Sequence, residues 1–278
     1  MRAIIVFVTY GRVWTLKVMQ RFIQITDCHL FATDEGKLLG MDTQASLHAV
    51  MDNIRKEQAA FDFYLCTGDL SQDGSIESYQ YLKDLLANEG KEQFWIPGNH
   101  DQRDNMLKVV TEQQEMLSVV KKGPWQLILL DSQVPGSVFG NFHIDQLRLL
   151  KRALEADPNS HTLITMHHHP RPMGCKWLDT QQIRNSNAFF NIINQFENVR
   201  VVLWGHVHQD SDIMENGVRF ISTPSTCVQF TPNSKDFDVD TQGPGYRWLE
   251  LKDDGTVNTG VSRVEGIDFE IDYSIKGY

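Results

Sequence analysis

The feature that most limits what this chain can become is a series of short apolar runs, several of which stop abruptly at a metal-capable residue. The runs are RFIQITD (21–27), FDFYLCTGD (61–69), QFWIPGN (93–99), WQLILLDS (125–132), HTLITMHHH (161–169), VRVVLWGHVH (199–208), GVRFISTPS (217–225) and YRWLEL (246–251). Near-continuous apolar, β-branched and aromatic content suits strands buried on both faces. Between them, TQASLHAVMDNIRKEQ (43–58), IESYQYLKDLLANEG (76–90), HIDQLRLLKRALEAD (143–157) and NSNAFFNIINQF (185–196) place apolar residues at three- and four-residue spacing, which predicts helices. Strand and helix alternate early and strands dominate later. That order predicts an α/β (α+β) chain with sheet packed on sheet and helices outside. No repeat or low-complexity linker divides residues 19–278, which are read as one domain. Residues 1–18 are read as an N-terminal extension, because Met19 stands just before the first good strand. The apolar stretch AIIVFV (3–8) is far short of the roughly 20 residues a membrane span needs, and it lacks a small-residue cleavage site.

Ligands in α/β folds gather where strands run out into loops. Here the strand ends read Asp27-x-His29, Gly68-Asp69, Gly98-Asn99-His100-Asp101, His167-His168-His169 and Gly205-His206-x-His208. In an extended segment residues i and i+2 point the same way, so Asp27 and His29 are expected to converge, as are His206 and His208. Cys28 and Val207 are expected to point away. Each piece alone has an ordinary reading: D-x-H a cap, GD a turn, GNHD an Asx turn, HHH a solvated loop. All of them in this order, each closing an apolar strand, predict a metal site.

The formal net charge of −10 argues against a nucleic-acid surface. It leaves room for an anionic small substrate, since bound metal can reverse the local field. Cys28, Cys66, Cys175 and Cys227 form no C-x-x-C pair, so neither a disulfide framework nor a thiolate zinc site is expected. Reduced thiols place the chain in the cytoplasm.

The order D-x-H, G-D, G-N-H-D, H, G-H-x-H resembles the calcineurin-like metallophosphoesterase superfamily. The segments QITDCHLF, TGDLSQD, PGNHD, LLDSQVPG, HHHPRPMGCKWLD, GHVHQ and TPSTCVQF narrow the likeness to its bacterial class III 3',5'-cyclic-AMP phosphodiesterase branch. The resemblance covers roughly residues 21–250. It departs from the serine/threonine phosphatase branch, whose G-D-x-V-D-R-G motif is replaced here by GDLSQDG. The resemblance implies a four-layer αββα sandwich of two mostly mixed sheets and two divalent metal ions. It assigns Asp27, His29, Asp69 and His208 to one ion. Asp69 then bridges to a second ion held also by Asn99, His167 and His206, with His168 the alternative to His167. Iron or manganese is favoured, with zinc or cobalt possible for a nitrogen and oxygen donor set without thiolate.

The implied reaction is hydrolysis of 3',5'-cyclic AMP to 5'-AMP. A metal-bridging hydroxide attacks phosphorus, His100 acts as general acid, and His29, Asp69, Asn99, His100 and His208 contact the substrate. Asn99 then has a physical rationale: it offers an oxygen without a charge, so the ions keep a small positive surplus for the phosphodiester. Asp101 either orients the His100 ring or is a surface carboxylate. Trp177 either stacks on a base or packs on its neighbours, Arg184 either touches phosphate or caps, and Phe230 is read as core. Two other functions are weighed: hydrolysis of another phosphodiester, such as a glycerophosphodiester or a 2',3'-cyclic nucleotide, and a non-enzymatic scaffold. Oligomeric state is left open.

Overall fold

The structure, a computed structural model, describes residues 7–9, 12–14, 19–58 and 60–277. Two sheets carry the fold. In the first, Gln20–Ile25, Phe63–Thr67 and Glu92–Ile96 run parallel, and Gly245–Leu251 and Val257–Arg263 extend it antiparallel beside Gln20–Ile25. In the second, Trp125–Leu129, His161–Met166, Val199–Trp204 and Val218–Ser222 run parallel, with Val119–Lys122 and Ser211–Glu215 as antiparallel edges. Both are mixed sheets, as expected.

Side-chain alternation along the central strands builds three hydrophobic layers. Phe63 and Leu65 point inward, where with Phe22 and Phe94 they join Leu127, Leu163, Val201 and Leu203 of the other sheet. Tyr64 and Cys66, the intervening residues, face outward and join Leu47, Val50, Met51, Tyr79 and Leu82 of the helices Thr43–Glu57 and Ile76–Ala87. On the far side Ile164, Val202 and Trp204 pack against Leu147, Leu150, Leu154 and Phe189 from Ile144–Ala156 and Ser186–Ile193. The result is helix, sheet, sheet, helix. Because both faces of each parallel strand are buried, the apolar runs are continuous rather than alternating with polar residues.

The helix starts follow their sequences. Asp42 and Ser75 each accept a backbone N–H from three residues on, satisfying a donor that the first turn leaves free. The four cysteines are buried and unpaired. Among the described residues no helix is long and apolar enough to cross a membrane. Phe7–Thr9 and Arg12–Trp14 pair with each other in a two-stranded sheet separate from both large ones. The rest of the 1–18 segment lies outside the described residues.

Candidate metal centre

Among the described residues, five of the seven parallel strands deliver a metal-capable residue to the same end of the sandwich. Gln20–Ile25 leads into Asp27 and His29, Phe63–Thr67 into Asp69, and Glu92–Ile96 into Asn99 and His100. From the second sheet, His161–Met166 leads directly into His167, and Val199–Trp204 into His206 and His208. Donor atoms of Asp27, His29 and His208 lie within 4.8 Å of one another, as do those of Asp27, Asp69 and His167. The same spacing relates His29, Asp69 and His100.

Asp27 and His29 converge as expected, and Cys28 and Val207 do turn away into the two outer cores. The expected cause is wrong. These residues are not extended: Asp27, His29, Asp69, His206 and His208 all take the left-handed region, with φ between 48° and 64°. For residues with a Cβ this conformation is sparsely populated and costs about 1–3 kcal/mol each. Backbone contacts hold it. Asp27 N donates to Gly68 O (2.9 Å) and His29 N to Asp69 O (2.9 Å), stitching the first two strand ends together. Glycine is required at two approaches: a Cβ on Gly98 would collide with Asp69, and one on Gly205 with Thr26 and Asp27.

Three rings have their tautomer fixed from behind. His167 Nδ1 lies 2.8 Å from Thr67 O, His208 Nδ1 2.8 Å from Val228 O, and His29 Nδ1 2.6 Å from Gln72 Oε1. A carbonyl oxygen only accepts, so each Nδ1 carries a proton and each Nε2 is turned into the hollow. His29 Nε2 and His208 Nε2 then face each other at 3.2 Å, two acceptors when both rings are neutral. Burial pushes His29 down to about 3, so this ring takes up no second proton at neutral pH. A cation between the rings satisfies both lone pairs. This is the physical test that the donor set fits metal.

On the other side His167 Nε2 sits 3.2 Å from Asp69 Oδ2, 3.2 Å from Asn99 Oδ1 and 3.2 Å from His206 Nδ1. Burial disfavours the charged form of His167, but the Asp69 carboxylate outweighs it and, with Asp27, pushes this ring up to about 9. Asp69 would itself be raised by burial; instead His167, His100 and His29 hold it well below the usual carboxylate range. Asp69 lies between the two groups: Oδ2 faces His167 while Oδ1 accepts from His100 N (2.8 Å). His168 is also buried near His167 and His206; its Nδ1 lies 2.8 Å from Ser132 Oγ, and its buried Nε2 has no hydrogen-bond partner among the described residues. His169 is buried and stacks on His206 (5.6 Å, 17°), behind the hollow.

Asp101 is no surface carboxylate. It is buried and accepts from Gly98 N (2.8 Å), Ser71 N (3.0 Å), Leu70 N (3.3 Å) and Tyr79 Oη (3.1 Å). It therefore ties the loop carrying Asn99 and His100 to the loop carrying Asp69. Burial and the nearby Asp69 raise it to about 6, against the pull of those amides. Arg184 lies over the Phe139 ring at 3.2 Å. Phe230 is core, as read, but it also stacks on His208 (4.1 Å, 14°). Gln72, Thr67 and the Val228 carbonyl were not anticipated. Gln72 was visible in TGDLSQD, three residues after Asp69; the two carbonyls carry no sequence signal.

Comparison with known proteins agrees with the geometry. The family model described as calcineurin-like phosphoesterase matches residues 20–210. The chain is 44% identical to the 3',5'-cyclic adenosine monophosphate phosphodiesterase CpdA of Pseudomonas aeruginosa, over 92% of this chain and 94% of that protein. The protein of the same name from Vibrio vulnificus is also 44% identical, over 93% and 95% respectively. Among solved structures, a dimetal phosphatase from Danio rerio aligns with a TM-score of 0.60 at 14% identity, covering 88% of this chain and 99% of that one. That last likeness concerns the fold.

Proposed function

Because the chain belongs to the calcineurin-like phosphoesterase family, we propose that it is a phosphodiesterase that opens 3',5'-cyclic AMP to 5'-AMP at a two-metal centre. The observation that carries this reading is the near full-length likeness to two named cyclic-AMP phosphodiesterases at 44% identity. The donor set supports it. On this reading Asp27, His29, Asp69 and His208 hold one ion, and Asp69, Asn99, His167 and His206 hold the other. His167 is preferred to His168 because its Nε2 lies 3.2 Å from both Asp69 Oδ2 and Asn99 Oδ1, whereas His168 clusters with His167 and His206 but with neither of those oxygens. The ions, when bound, supply Lewis-acid stabilisation of the phosphoryl charge and activation of water near neutral pH.

The chain's own groups do the rest. The fixed Nδ1 protons on His29, His167 and His208 keep their Nε2 atoms aimed inward, and on His167 a bound cation would take the place of the Nε2 proton that Asp69 favours. Asn99 contributes oxygen without charge and so preserves attraction for the phosphodiester. His100, half-buried at the mouth and anchored through its backbone N–H to Asp69, donates a ring proton to the departing ribose 3' oxygen. His29, Asp69, Asn99, His100 and His208 line the phosphate position. The mixed nitrogen and oxygen donors suit iron, manganese, zinc or cobalt, and the family resemblance favours iron or manganese among them. The unpaired buried cysteines support a cytoplasmic setting. Residues 19–278 form the catalytic unit and 1–18 an extension.

Stripping the protein with a chelator is expected to abolish hydrolysis of cyclic AMP, and reloading with Mn²⁺ or Fe²⁺ to restore it with 5'-AMP as product. Cyclic AMP, 2',3'-cyclic AMP and a glycerophosphodiester are compared side by side. Preference of the reloaded protein for either of the last two would replace the substrate. Hydrolysis of none of them would leave a scaffold.

A further inference from the structure

The hollow does not end at the metal donors. A cavity of about 160 Å³ is lined by Asp69, Asn99, His100 and His206 of the metal hollow and also by Trp177, Gln181, Phe230 and Phe237. Trp177, from the short helix Lys176–Asp179, and Phe230 and Phe237, from the connection between Ser222 and Gly245, form one wall. Trp177 meets Phe230 edge-on (5.0 Å, 77°) and Phe237 likewise (5.0 Å, 63°). Its indole Nε1 donates to Ser234 Oγ at 3.1 Å, which fixes the ring. Phe230 stacks in turn on His208, so the wall is continuous with a ring that faces the metal hollow. Packing alone accounts for Phe230, which is 1% exposed. It does not account for Trp177 and Phe237, which remain half-buried beside a cavity.

Gln181 stands on the same cavity. Its backbone is held at both ends, N–H to Leu178 O (2.8 Å) and O from Gly140 N (3.2 Å). Its side-chain amide makes no hydrogen bond among the described residues. A side-chain amide on a fixed backbone beside an aromatic wall offers a donor and an acceptor in one plane, which matches the 6-amino group and adjacent ring nitrogen of adenine. Stacking by itself tolerates every base, so discrimination must come from such an edge contact.

We propose that this wall is the nucleobase subsite, with Trp177 as the stacking surface and Gln181 as the specificity-determining residue. The proposal rests on the cyclic-AMP reading above and adds which residues hold the base. It requires no chemistry of its own: the base docks here while the phosphate sits between Asp69, Asn99 and His100.

The test uses the metal-loaded full chain and three esters: cyclic AMP, the 3',5'-cyclic phosphate of purine riboside, which lacks the 6-amino group, and methyl 4-nitrophenyl phosphate, which has no base. With Trp177→Ala, kcat/KM for both cyclic nucleotides is expected to fall about tenfold or more relative to the base-free ester. Trp177→Phe is expected to recover most of that ratio. With Gln181→Leu, kcat/KM for cyclic AMP is expected to fall roughly 3- to 10-fold relative to the amino-free nucleotide, mainly through KM. Equal losses on all three esters mean a structural role and overturn the subsite, as do unchanged ratios. A wild-type chain that hydrolyses the base-free ester but not cyclic AMP overturns the functional reading instead, and the subsite with it.

Discussion

Asp69→Asn is expected to lower kcat for cyclic AMP by roughly 10³-fold or more and to leave the protein unable to hold two metal ions. The expected size is the several kcal/mol of charge stabilisation that a paired metal site supplies. The substitution keeps the side chain's shape, and an amide oxygen can still accept from His100 N, where the carboxylate now does at 2.8 Å. What disappears is the charge and the second anionic oxygen, the one 3.2 Å from His167 Nε2. Asp69 clusters with His29 and His100 on one side of the hollow and lies 3.2 Å from His167 Nε2 on the other, so its two oxygens face both halves of the site. Circular dichroism, metal analysis and turnover on the same preparation separate the effects. A folded variant with full metal content and undiminished turnover would remove Asp69 from the centre of the site.

The second large effect concerns proton transfer. His100→Ala is expected to lose about 10²–10⁴-fold in kcat with cyclic AMP, the usual contribution of a positioned general acid. Metal content is expected to stay at the wild-type level, because this ring stands at the edge of the donor set, 5.1 Å from the His29 ring centre, and half-buried. A leaving group that departs as a stable anion needs little protonation. The same variant should therefore lose much less on methyl 4-nitrophenyl phosphate than on cyclic AMP. Equal losses on the two esters, or a missing ion, would assign His100 to binding rather than to proton donation.

Much of this was legible in the sequence because the parallel strands are buried on both faces and so announce themselves as continuous apolar runs. QFWIPGN and VRVVLWGHVH stop where the polar residues begin, and the strands Glu92–Ile96 and Val199–Trp204 stop there too. The edge strands were not legible. Ser211–Glu215 reads SDIME and is largely exposed, and Val257–Arg263 reads VNTGVSR; neither has a buried face strong enough to leave a pattern. The seven-residue helix Arg103–Val109 is too short to establish periodicity.

The donor residues were also legible, but the way the backbone presents them was not. Left-handed φ at Asp27, His29, Asp69, His206 and His208 follows from hydrogen bonds between loops of distant strands, which no local pattern contains. Asp101 illustrates the same limit. Its sequence position beside His100 suggested a partner for that ring or an exposed charge, whereas its buried carboxylate gathers amides from a loop some thirty residues earlier. The aromatic wall was only partly visible: Trp177 stood out as a ring that could stack on a base, but Phe230 read as core and Phe237 carried no signal until the loops that carry them are brought together.

The most direct test is diffraction at the manganese absorption edge from crystals of the Mn²⁺-loaded protein. Two anomalous peaks are expected ~3.5–4 Å apart, one surrounded by Asp27, His29 and His208, the other by Asn99, His167 and His206, with Asp69 touching both. A single peak, or two peaks that do not share Asp69, would contradict the account.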